Sequence, residues 1–184
     1  MDMADLFSAA SNGDCVKIRS LLDEGMDVGA KDGDGFTALH HAAKAGHCPA
    51  MGMLLERGAD IEATSKSDLT PDGGADIDAR DCFDYTPLHY AALEGNNNAI
   101  LLLLDRGADL SNEYGHGQPV LHKAALGGHN DTVNLLLDHG VDIAAEDDVG
   151  GTALHIAARY GHPKLSGCCV LAVRIWLQRT SMGR

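Results

Sequence analysis

The chain has 184 residues, 27 acidic against 14 basic, and a formal net charge of −13. That balance repels polyanions and argues against a nucleic-acid partner. Aromatic residues make up 4% and apolar residues 45%, a mix that suits a core of small Ala and Leu side chains rather than one built on large rings.

The opening residues, MDMADLFSAASNGD, are acidic and run straight into helical spacing, so no leader peptide is expected. LFSAASNGD at Leu6 and LLDEGMDV at Leu21 form a worn copy of a unit that recurs more sharply downstream. TALHHAAKAGH begins at Thr37, TPLHYAALEGN at Thr86, PVLHKAALGGH at Pro119 and TALHIAARYGH at Thr152. Their histidines, His40, His89, His122 and His155, are 49, 33 and 33 positions apart. A second marker follows, as LLERGADI at Leu54, LLDRGADL at Leu103 and LLDHGVDI at Leu136.

One unit can be read from its chemistry. Thr37 suits a helix N-cap, its hydroxyl accepting from a free N–H of the first turn. Pro87 sits where a first helical residue has no hydrogen bond to lose. Leu39, Ala42 and Ala43 make an apolar stripe, and Gly46 ends the helix. A second helix is expected from about Cys48 to Arg57, with Met51, Leu54 and Leu55 on one face. The stretch after Gly58 is expected to form an extended finger leading to the next Thr. Such a unit cannot bury its apolar face alone, so neighbours must stack.

The 33-residue period with T-P-L-H-x-A-A and L-L-x-x-G-A-D resembles the ankyrin repeat, from Leu6 to about Pro163. The resemblance implies an all-α solenoid of helix-turn-helix units with hairpin-like fingers. Repeats fall near 4–36, 37–69, 86–118, 119–151 and 152–163, with a shortened one at 70–85. In that shortened repeat, LTPDGGADIDARD keeps the entrance and exit of a unit without room for its helix pair. Ala59 to Tyr85 is therefore expected to form one long double finger, with Pro71, Gly73 and Gly74 as turn residues. The helices on either side can then stack directly on one another, or the chain can divide into two misregistered blocks.

After Pro163 the pattern fails. Residues 164–184 hold no acid and four basic residues, and the apolar run from Cys168 to Leu177 is too short to span a bilayer. This divergent tail can form a helix with Leu165, Cys169, Ala172 and Trp176 towards the stack, or be an unrelated ending made by splicing or a frame change.

No catalytic or nucleotide motif is present. Five cysteines without a C-x-x-C pair suit a cytoplasmic or nuclear protein with reduced thiols. The histidines recur a repeat apart, about 10 Å in a stack, too far to share one zinc ion. Neither metal nor cofactor is expected. Thr37, His40, Thr86, His89, His122, Thr152 and His155 are structural positions, and the resemblance implies that the histidines bond to neighbouring backbone.

Charge is the informative feature. The finger segments 25–36, 58–85, 107–118 and 140–151 carry 17 acidic and 3 basic residues. The resemblance implies a protein-binding scaffold that uses the fingers and the inner face of the first helices. Candidate finger contacts are Asp34, Phe36, Phe83, Tyr85, Glu113, His116 and Asp148. Candidates on the first helices are His41, Lys44, Tyr90, Leu93, Glu94, Lys123, Leu126, Arg159 and Tyr160. The expected partner is a protein with a basic surface or segment, and aromatic anchors lead the candidates. The alternatives are a shortened or aberrant isoform with little function of its own and, more remotely, a metal-dependent enzyme or sensor.

Overall fold

The computed structural model describes residues 3–57, 75–110, 118–162 and 164–165. Among them the elements are α1 (Met3–Asn12), α2 (Cys15–Asp23), α3 (Ala38–Ala45), α4 (Cys48–Glu56), α5 (Pro87–Leu93), α6 (Asn97–Asp105), α7 (Val120–Gly127), α8 (Asn130–Asp138) and α9 (Ala153–Arg159). Pairing among the described residues is limited to isolated bridges, including Lys31 to Thr37 and Glu146 to Thr152 at the bases of fingers. The protein is an all-α helical-repeat solenoid.

The helices lie in two rows. The inner row runs α1, α3, α5, α7, α9 and the outer row α2, α4, α6, α8, each helix packed on its neighbours in the row. The expected apolar stripes meet between the rows. Leu39, Ala42 and Ala43 of α3 are fully buried, as are Met51 and Leu54 of α4 and Leu121, Ala124 and Ala125 of α7. These residues belong to one continuous core that runs from Leu6 to Leu165.

The helices flanking the shortened repeat stack directly. α3 packs on α5 and α4 on α6. The Ala75 N–H donates to the Leu54 carbonyl at 3.1 Å, and the Cys82 N–H to the Asp34 carbonyl at 2.9 Å. Fingers that are two units apart in sequence are therefore neighbours. Of the expected double finger, only Ala75 to Tyr85 is described; residues 58–74, with Pro71, Gly73 and Gly74, lie outside the described residues. At the C-terminal end Lys164 and Leu165 are helical and Leu165 is fully buried. The expected helix beyond them, with Cys169, Ala172 and Trp176, lies outside the described residues.

The junction carries its own tie. Gly46 ends α3 in the left-handed region (φ 73°), and a Cβ there would come within 2.8 Å of the Asn96 side chain. The Asn96 amide fills that space and donates to the carbonyls of Ala43 (3.1 Å) and Lys44 (2.9 Å). In three other repeats His stands in this slot, with His47 bonded to the Ser11 carbonyl (3.0 Å) and His162 to that of Leu126 (3.1 Å). Replacing Asn96 by Ala is expected to lower stability by about 1–2 kcal/mol, since two hydrogen bonds are lost, while Asn96→His retains most of it. Urea denaturation of the two variants measures the difference.

Pro119 departs from the Thr found at the other helix entrances. Thr37, Thr86 and Thr152 each offer N–H and hydroxyl groups to the Nδ1 of the His three residues on. Pro119 has neither group, and the buried Nδ1 of His122 is left without a partner. Pro119→Thr is expected to gain a cap and a buried hydrogen bond, offset in part by a freer unfolded chain, for a net stabilisation of about 1 kcal/mol. A rise in melting temperature by circular dichroism checks it.

Candidate functional site

The finger positions are built on an Asp whose carboxylate closes the turn. Asp32 Oδ1 accepts from the N–H groups of Asp34 (3.0 Å) and Phe36 (2.9 Å). Asp81 Oδ1 accepts in the same way from Phe83 and Tyr85, both at 2.9 Å. Asp147 repeats the pattern with Val149 and Gly151. These acids recur seven residues after a glycine, and the pattern follows from the carboxylate reaching two and four residues along its own loop.

In Asp32 and Asp81 the second carboxylate oxygen reaches the first helix of the repeat that follows. His41 Nε2 lies 2.9 Å from Asp32 Oδ2, and the Tyr90 hydroxyl donates to Asp81 Oδ2 at 2.5 Å. Burial works to raise the Asp32 carboxyl, but the hydrogen bonds from the His41 ring and from the Phe36 and Asp34 N–H groups hold it below its usual range. Burial, followed by the bond to Asp81, raises the Tyr90 hydroxyl.

These contacts divide the candidate residues. Phe36 packs against Tyr90 with ring centroids 4.8 Å apart and against His40 and His41 at 5.5 and 5.4 Å. Tyr90 is only 8% exposed and Lys123 only 7%. The Lys123 ammonium lies 3.5 Å over the Tyr85 ring, and burial pushes its pKa down to about 8 against the attraction of Asp81. Tyr90 and Lys123 thus hold fingers to helices and present little surface. Phe83 and Tyr160 are open, 55% and 57% exposed. Asp34, Lys44, Glu94, Asp148 and Arg159 are exposed as well, and Tyr85, Leu93 and Leu126 are half-buried. Glu113 and His116 lie outside the described residues. Reading the sequence did not mark the Asp81–Tyr90 bond; its signal is an Asp nine residues before a polar side chain, shared with Asp32 and His41.

His40 and His122 bond to neighbouring backbone, as the resemblance implied. His40 Nε2 lies 2.9 Å from the Tyr85 carbonyl and His122 Nε2 2.8 Å from that of Gly151, each on the next finger. Since Nδ1 of His40 accepts from Thr37, the ring is neutral with its proton on Nε2. No three His, Cys, Asp or Glu side chains converge to hold a metal ion among the described residues, and no helix there is long and apolar enough to cross a membrane.

Comparison with known proteins agrees with this architecture. The family described as Ankyrin repeats (3 copies) matches residues 4–65 and 111–166, and the single Ankyrin repeat matches 83–113. The chain belongs to the ankyrin repeat family, whose repeats are generally protein-interaction modules. It is 38% identical over 71 residues to the 2-5A-dependent ribonuclease of Mus musculus, a match covering 38% of this chain and 10% of that protein. It is 40% identical over 58 residues to Ankyrin repeat domain-containing protein 39 of Homo sapiens, covering 32% of each. Palmitoyltransferase akr1 of Schizosaccharomyces pombe is 45% identical over 62 residues, 33% of this chain and 10% of that protein. The matches thus span at most about a third of these relatives, and the two with enzyme names share only a tenth of their length with it.

Burial lowers the pKa of His40 and His122, and takes His89 to about 4, aided there by the nearby Lys123 and opposed by the Gln118 backbone. A folded-state pKa below the ordinary 6.5 means that the unfolded chain takes up protons first as pH falls. The stabilisation is therefore complete above about pH 6.5 and disappears towards pH 4, up to about 3 kcal/mol for His89. His89→Gln removes the titration, so its plot of unfolding free energy against pH is expected to be flatter over that range than that of the parent chain.

Proposed function

We propose that the chain is a non-catalytic adaptor that binds a basic segment of a protein partner through its acidic fingers and the adjoining inner helices. The observation that carries this reading is the concentration of charge. The finger segments hold 17 acidic and 3 basic residues, a net of −14 in a chain of −13. Asp34, Asp84, Asp109, Asp142 and Asp148 are exposed there. The direct stacking of α3 on α5 keeps this row continuous, because it sets the Asp34 finger beside the Asp81 finger.

Phe83 supports the same reading. It is an aromatic side chain 55% exposed at a finger tip, followed by Asp84. A ring with a neighbouring carboxylate suits the aliphatic stem and charged head of Lys or Arg. A cytoplasmic or nuclear location belongs to this proposal and is supported by the free thiols of Cys15, Cys48 and Cys82.

The test is fluorescence anisotropy with a labelled Lys/Arg-rich peptide. Affinity is expected to fall at least tenfold between about 50 and 500 mM salt, because exposed charges are screened over that range. Phe83→Ala is expected to weaken binding about tenfold with little effect on melting, as for an exposed anchor. Equal affinity at both salt concentrations would remove the electrostatic basis of the reading.

A further inference from the structure

The outer row carries a feature that the finger surface does not explain. A groove of about 1290 Å³ crosses α2, α4 and α6 on the side of the outer helices. Its floor includes Leu22, Cys48, Pro49, Gly52, Met53 and Leu102. Arg19, Arg57 and Arg106 line it, against two carboxylates, Asp23 and Glu56.

Gly52 makes the groove. Counted from the glycine that ends the preceding inner helix, the same place holds Arg19 in α2, Leu101 in α6 and Asn134 in α8. A glycine inside a helix costs about 1 kcal/mol relative to alanine. Close packing would explain that cost, yet a Cβ at Gly52 would meet nothing within 4 Å. Its φ does not lie in the left-handed region either. The fold gains nothing from the missing side chain; what it leaves is open space above α4. The sequence of α4, CPAMGMLLE, carries no charge before Glu56. Two sister helices are polar at the Gly52 position, with Arg19 in α2 and Asn134 in α8, while α6 carries an exposed Leu101 there.

The rim has a sign of its own. Arg57 pairs with Asp23, and Arg106 Nη2 lies 3.0 Å from Glu56 Oε1. Arg19 is exposed and makes no ion pair among the described residues. A local excess of arginine over an apolar floor, on a chain of net charge −13, complements a ligand that is apolar and acidic. Guanidinium groups take carboxylates in pairs of parallel hydrogen bonds.

We propose that this groove is a second docking site, for an amphipathic helical segment of a protein partner. Its apolar stripe seats over Gly52 and Met53, and its flanking Glu or Asp residues meet Arg19, Arg57 and Arg106. Three helices packed about 10 Å apart give roughly 20 Å of groove, the length of about 13 helical residues. The helices bordering the groove have no unpaired backbone edge for an extended strand to join, which favours a helix as the occupant.

The test uses the full chain and a labelled designed peptide of about 16 residues, with Leu at i, i+3, i+4 and i+7 and Glu on both flanks. Anisotropy is read at about 150 mM salt, where the long-range field of the fingers is screened. Saturable binding is expected, and the same peptide with Lys for Glu should bind at least tenfold more weakly at this face. Gly52→Leu fills the groove with the residue that α6 uses and should raise the melting temperature, so its expected tenfold or greater loss of binding cannot come from unfolding. Arg19→Glu is expected to weaken binding several-fold, and Phe83→Ala to leave it unchanged. The proposal is overturned by absence of saturable binding, by equal binding to the Gly52→Leu chain, or by sensitivity to Phe83→Ala alone. It is also overturned if peptide-free sedimentation shows a self-associated species that Gly52→Leu abolishes, since a second copy would then occupy the groove. Binding of the Lys/Arg-rich peptide by the Gly52→Leu chain reports on the fingers separately.

Discussion

The stack depends on a buried imidazole shared between two repeats. Thr37 caps its helix and hands its N–H and hydroxyl to His40 Nδ1, which leaves Nε2–H to donate to the Tyr85 carbonyl at 2.9 Å. The acceptor is a backbone carbonyl 45 residues away in sequence. Every finger presents such a carbonyl, whatever side chains it carries. The tie is therefore indifferent to which repeat comes next, and a unit without helices can be passed over. His155 shows the other limit, for its Thr152 cap is intact but its ring is exposed at the end of the described stack.

The second tie, in the turn between the two helices of a unit, is more particular. A left-handed glycine leaves room for the ring or amide of the following unit, as Gly13 does for His47 and Gly46 for Asn96. His47 donates one hydrogen bond across that contact, whereas Asn96 donates two, to Ala43 and Lys44. The change from ring to amide falls at the junction that bypasses the shortened repeat. There the chain has no helix pair in between, and the two carbonyls ending α3 would otherwise lack a side-chain partner.

Much of this was legible beforehand because it is written in period and in residue type. Thr and His at fixed offsets, Ala/Leu stripes and a glycine at each helix end specify the unit, and the 49-residue step exposes the missing helices. The binding surface was less legible. Tyr90 and Lys123 occupy positions that vary from repeat to repeat, which made them contact candidates. Yet Asp81 draws the Tyr90 hydroxyl inward, and the face of Tyr85 takes the Lys123 ammonium. Those pairings depend on one finger and two helices meeting in space, and no single repeat contains all the partners. Gly52 was unreadable for a different reason. In sequence a helical glycine looks like a tolerated defect, and only the open space around it separates that from a groove.

The acidity of the fingers is not all available to a partner. Asp32, Asp81 and Asp147 turn their carboxylates into their own loops, and Asp81 also meets Tyr90 and attracts Lys123. At the corresponding place before Pro119, five residues upstream, the sequence has Tyr114 in place of Asp. Lys123 therefore has no carboxylate from the matching position of the finger before it and leans on Asp81 of the finger before that, which ties the shortened repeat to the repeat that begins at Pro119. The charge left facing outward belongs to residues such as Asp34 and Asp148, which are exposed, and to Asp84, which is exposed and shares its charge with Arg80 at 3.8 Å. The field seen by a ligand is thus set by these tip residues. Net charge overstates it, because part of the negative charge is already engaged in holding the fingers to the helices.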